Sequence, residues 1–214
     1  MRRGLRASII AGSLLFASAL SAQDADPLAR LDSNNRYAFD LILDSAGTAG
    51  LPTQPLISKA QEGLAKKADG RRIVEAVRRL FNQLKAAHAV LGGVDAQELT
   101  AAASLLEAGA KPAQLALFRP RQTGRTDLEA FIVWADFLKR SIPNEEAFTA
   151  ISKLWKDGAD DDTFRSLWTN VQSDISQGLN PGTALQNRIR ETPGRASPTT
   201  PGKPPEGQEN QSSR

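Results

Sequence analysis

One imidazole, His88, and no thiol stand among the 214 residues. Without cysteine there is no disulfide, no thiolate metal site, no catalytic cysteine and no lipid-modified cysteine. A single histidine rules out a multi-histidine metal centre within one chain, and any serine–histidine machinery would have to use His88. His88 follows Leu80, Phe81 and Leu84 at helical spacing, so the expectation is a histidine at the edge of a core with one ring nitrogen satisfied. The chain has no Gly-x-Gly-x-x-Gly or Walker pattern, no Gly-x-Ser-x-Gly elbow and no Ser-x-x-Lys pair, which argues against a nucleotide enzyme or a serine hydrolase.

Carboxylates are the remaining candidates. Asp157, Asp160, Asp161 and Asp162 are the densest acidic group and could offer oxygens to calcium, but their spacing departs from an EF-hand loop. Asp160 at a helix start, with two acids in the next turn, is also what a helix N-terminus favours. Glu145-Glu146 and Glu129 are the acids that a cell-wall hydrolase would pair, a chemistry decided by their separation in space. That reading is the weakest of three; no cofactor and no metal is expected.

The strongest cluster is basic. Residues 59–85 carry eight cations against Glu62, Asp69 and Glu75. Within it Arg71, Arg72, Arg78, Arg79 and Lys85 lie opposite an apolar stripe of Ile73, Val74, Val77, Leu80, Phe81, Leu84 and Leu91, the pattern of an amphipathic helix. A second stretch, Lys111, Arg119, Arg121 and Arg125, meets no acid until Asp127. Such faces suit anionic lipid or an anionic polysaccharide, and nucleic acid is not expected. The competing reading is a solvated helix face braced by Arg71–Glu75 and Glu75–Arg79 pairs. The net charge of +3 comes from a leader: the 27 Lys and Arg, less Arg2, Arg3 and Arg6, leave 24 against 24 Asp and Glu.

These residues have to be positioned by helices, because no segment alternates as a strand would. One punctuation mark recurs at Gly50, Lys67, Gly93, Gly109, Gly124, Ser141, Gly158 and Gly178. An apolar residue usually follows one place later and another six places later, such as Leu51 and Leu56 or Ile142 and Ala147. That pair fits a hydrophobic staple, with N-caps at Asp69, Asp95, Thr126, Asp160 and Asn180. Asp95-x-x-Glu98 and Thr126-x-x-Glu129 read as capping boxes, and Pro112 and Pro181 fall at first helical positions. The anchor then closes the preceding helix in the left-handed conformation. Helices are expected over 36–46, 53–66, 70–91, 96–108, 112–118, 126–140, 144–157, 161–177 and 181–190. The fold class is all-α, either an α-solenoid-like array of helical hairpins or a compact bundle. Phe131, Trp134, Phe137, Phe148, Trp155, Phe164 and Trp168 gather late in the chain at helical spacings and are expected mainly in the core, although three tryptophans could also line a groove for a sugar or peptide.

The ends differ from this middle. Arg2, Arg3 and Arg6 precede an apolar run from Ala7 to Leu20 and small residues before Gln23, the three-part pattern of a signal peptide over 1–22. A linker is expected over 23–35, the helical domain over 36–190, and a disordered tail over 191–214, where Leu, Ile, Val and aromatic residues are lacking. The stretch Gly50-Leu51-Pro52-Thr53-Gln54-Pro55-Leu56-Ile57-Ser58-Lys59-Ala60-Gln61-Glu62-Gly63, with Arg72-Ile73-Val74-Glu75-Ala76-Val77-Arg78, resembles a block in uncharacterised exported helical proteins of bacteria. The resemblance implies export and helical architecture and transfers no site residue. The resulting expectation is a periplasmic or extracellular non-enzymatic scaffold whose partner is an envelope protein, with no transmembrane segment once the leader is removed. The alternative is an envelope-surface module working through the basic faces 59–85 and 111–125.

Overall fold

The turns that close each helix set the architecture. In a computed structural model, which describes residues 27–119 and 126–191, every regular element is helical. They are α1 (Ser33–Thr48), α2 (Gln54–Ala65), α3 (Gly70–Leu91), α4 (Ala96–Glu107), α5 (Pro112–Leu115, continued by a 3-10 turn over Ala116–Phe118), α6 (Leu128–Lys139), α7 (Asn144–Lys156), α8 (Asp161–Ser176) and α9 (Pro181–Glu191). Six of the eight anchors have positive φ: Gly50, Lys67, Gly109, Ser141, Gly158 and Gly178. Each makes the same two bonds. At Ser141, for example, the anchor N–H reaches the Leu138 carbonyl at 3.0 Å and the next N–H, of Ile142, reaches Phe137 at 3.1 Å, the double bond of a Schellman motif. The staple's second positions, Leu56, Ile73, Leu99, Leu115, Ala147, Phe164 and Ala184, are all buried.

Asp69, Asp95, Asp160 and Asn180 cap the helices they precede. Elsewhere the turns depart from expectation. The positive φ near 93 belongs to Gly92, and Gly124 lies outside the described residues. Thr126 does not close a box with Glu129; its Oγ1 accepts from Leu128 N–H, and Glu129 turns to Arg165 at 3.3 Å. The helical body also starts earlier than 36, because Asp32 accepts from the N–H groups of Asn34 and Asn35 and so begins α1 at Ser33. A 3-10 turn over Pro27–Arg30 precedes it, with Leu28 and Leu31 buried. The signal segment 1–22 lies outside the described residues, as does 192–214 of the tail.

Each helix packs chiefly on helices one or two places away in the chain: α1 and α2 on α3, α3 on α4, α4 on α6, α6 on α7 and α8, and α9 on α7 and α8. Packing between near neighbours in the chain is consistent with a stacked array or a compact bundle. One continuous apolar core runs through it, and Trp134, Phe131, Phe137 and Phe164 lie fully inside. These four of the late aromatics are core, while Phe148, Trp155 and Trp168 are half-buried and pack against it. Helices as short as these are marginal alone and depend on such burial.

Lys67 and Ser141 hold φ of 56° and 64° without being glycine, a conformation that costs an L-residue about 1–2 kcal/mol. Glycine loses more chain entropy on folding, which offsets part of that. Lys67→Gly and Ser141→Gly are each expected to stabilise the fold by about 0.5–1 kcal/mol, read as a higher urea midpoint with an unchanged slope; a lower midpoint would contradict the turn assignment.

Candidate interaction surfaces

Most of the candidate acidic residues are engaged by the fold. Asp160 accepts from Thr163 N–H at 2.9 Å, Asp157 pairs with Lys153 at 2.6 Å and Asp162 with Arg165 at 2.5 Å. Glu145 is held by Lys111 at 2.7 Å, and Glu146 accepts from the Gln186 amide at 3.3 Å. Both border a hollow of about 340 Å³ between α7 and α9. Among the described residues no three metal-ligating side chains come together. Asp174 takes two bonds from Arg188, at 2.7 and 2.6 Å, which tie α9 to α8 and hold its carboxyl below the ordinary 3.8.

One carboxylate is placed differently. Glu98 on α4 is buried, and its oxygens accept from the Asp127 N–H at 3.2 Å and the Thr126 hydroxyl at 3.4 Å. It therefore caps α6 from another helix. Desolvation raises its pKa above the usual 4.5, the Asp127 N–H opposes this, and the charges of Asp127 and Asp95 add to the rise. Asp127 is itself buried and accepts from Trp155 Nε1 at 2.5 Å.

Of the basic candidates, Arg71, Arg72, Arg78, Arg79 and Lys85 all stand exposed on α3. The expected Arg71–Glu75 and Glu75–Arg79 pairs are not formed, and these four arginines meet no carboxylate among the described residues. Lys85 lies over the Phe81 ring, 4.9 Å from its centre. Of the other cations in 59–85, Lys59 and Lys66 share Glu62. Arg119 is not part of the same row: its Nε donates to the Val90 carbonyl at 3.0 Å, at the C-terminal end of α3, where a cation complements the helix dipole. Arg121 and Arg125 lie outside the described residues. His88 is exposed on the last turn of α3 and not at a core edge.

A second surface was not named by any motif. An open trough of about 700 Å³ crosses α2, α4 and α6. It exists because the outward side chains of α4 are short: Ala96, Thr100, Ala101 and Ser104 form its floor, with Leu80 of α3 beneath. Ile132 on one wall is 42% exposed, a large apolar side chain left uncovered. The rim carries Lys59 and Glu62 on one side and Asp136 and Lys139 on the other, each pair joined along its own helix at 3.3 and 3.5 Å. The available signal was the run of small residues at helical spacing on α4; that they face a trough depends on α2 and α6 flanking them.

Compared with family models, with curated proteins and with solved structures, the chain finds no match.

Proposed function

We propose that this is an exported, non-enzymatic scaffold of the cell envelope that seats an apolar helical segment of a partner protein in the trough across α2, α4 and α6. The trough carries the reading. Alternate helices of a stacked array build one extended face, which is how such arrays commonly bind other chains. Short side chains on α4 permit the close backbone approach that a helix laid in a groove requires, and Ile132 with half-buried Leu128 supplies apolar anchorage. Lys59–Glu62 and Asp136–Lys139 pair within their own helices, leaving Glu107 as the lining charge with no ion pair among the described residues, so specificity rests on shape and apolar contact more than on charge. The route outside the cell rests on the leader pattern over 1–22. Among the described residues no helix is long and apolar enough to cross a membrane.

Capture from envelope extract tests the reading when wild-type residues 23–214 are compared with Ser104→Arg/Ile132→Arg, which fills the trough at partly exposed positions. One defined protein is expected on the wild type at high salt and reduced at least tenfold on the variant, a change of about 1.4 kcal/mol. Equal retention by both would overturn it.

A further inference from the structure

We infer that the outer face of α1 and α3 docks on an anionic lipid bilayer, with the α3 cations on headgroup phosphates and Tyr37 and Leu41 entering the acyl boundary. Arg71, Arg78 and Lys85 are seven residues apart and so form one row, roughly 21 Å long at 1.5 Å per residue. Arg72 and Arg79 form a second row beside it, with Glu75 and Asn82 between. The rows are exposed and their guanidinium groups form no ion pair among the described residues, on a molecule whose other surface charges often find partners: Arg36 on Asp40, Lys66 on Glu62, Lys153 on Asp157. Charge alone would suit any polyanion. The neighbouring apolar groups select a bilayer.

Tyr37 is 67% exposed and Leu41 49% exposed, on the side of α1 beside these rows. They border a hollow of about 480 Å³ whose α3 wall includes Arg78 and Phe81. A phenol ring at an apolar edge suits the membrane–water boundary, and a basic face with adjoining aromatic and aliphatic groups is the composition of an interfacial surface. Asp40 is engaged by Arg36, and Asp69 and Asp32, near the start of α3, are used as the N-caps of α3 and α1; Asp44 and Glu75 are the other nearby acids, against five cations on α3. Arg71 and Leu80 are nine residues apart, half a turn around α3 at 100° per residue. A membrane under this face therefore leaves the trough, floored by Leu80, open to a protein.

Co-sedimentation of residues 23–214 with phosphatidylcholine vesicles, with and without phosphatidylglycerol, tests the inference. Binding is expected only with phosphatidylglycerol and should weaken as salt rises. Arg71→Gln/Arg78→Gln is expected to weaken it roughly thirtyfold, at about 1 kcal/mol for each of the two cations near the surface, and Tyr37→Ser/Leu41→Ser should weaken it by a similar factor. These side chains are exposed or half-buried, so circular dichroism should match the wild type; Arg72→Gln/Arg79→Gln serves in place of a variant that loses helicity. Failure to bind phosphatidylglycerol vesicles would overturn the inference. So would binding that Tyr37→Ser/Leu41→Ser retains in full and that soluble heparin competes away, the behaviour of a polyanion site.

Discussion

Replacing Phe118 by alanine is expected to lower the unfolding free energy by about 3–5 kcal/mol, the usual cost of emptying a large aromatic site. The ring is fully buried and meets Phe131 edge-on at 5.6 Å, Trp134 at 5.8 Å and Trp155 at 5.1 Å. It thereby joins the short turn after α5 to α6 and α7. The partners are fixed on two helices, so the space left by the ring cannot close without moving them, which is the condition for a large cavity term. Against the roughly 5–15 kcal/mol available to a domain, such a loss is about a fifth or more of the stability. Urea denaturation followed by tryptophan fluorescence measures it; a cost under about 1 kcal/mol would show that the cluster collapses freely or is not packed as described.

Glu98 carries the second large effect. Alanine at 98 leaves the Asp127 N–H without its carboxylate partner, and a buried backbone donor left unpaired costs about 1–3 kcal/mol. Glutamine keeps an acceptor oxygen but removes the buried charge, so its loss should be much smaller. The pH dependence separates the two contributions. Because the folded-state pKa is raised above 4.5, the unfolded chain gives up the proton first. The stabilising contribution of the protonated group is full below 4.5 and is lost as pH rises through the folded value. Wild type should therefore lose stability relative to Glu98→Gln over that range, with the two curves running parallel above it. A constant difference between them at every pH would show that Glu98 is not buried as a titrating group.

Local chemistry made the turns legible. The staple positions around Lys67 and Ser141 marked both as left-handed anchors although neither is glycine, because the flanking apolar residues carry the pattern independently of the anchor. Helix α3 was readable to its ends, since Asp69 starts it and the stripe through Leu91 runs its full length. Contacts between distant segments were not legible. Glu98 looked like a partner for its own helix start but instead caps α6, some thirty residues on, a bond that exists only once α4 lies against α6. The trough was hidden for the same reason, as the small residues of α4 acquire meaning from the walls around them. The Arg71–Glu75 pair was over-read: an exposed pair one turn apart gains only about 0.3–0.5 kcal/mol, little against the ordering of two long side chains.

The most direct measurement is site-specific photo-crosslinking in the native cell from Ile132 and Thr100, within the trough, and from Thr169, exposed on α8 outside it. A helix seated across α2, α4 and α6 predicts one defined protein adduct shared by positions 132 and 100 and lacking at 169. No adduct at either trough position, or the same mixture from all three, would contradict the trough as the binding face.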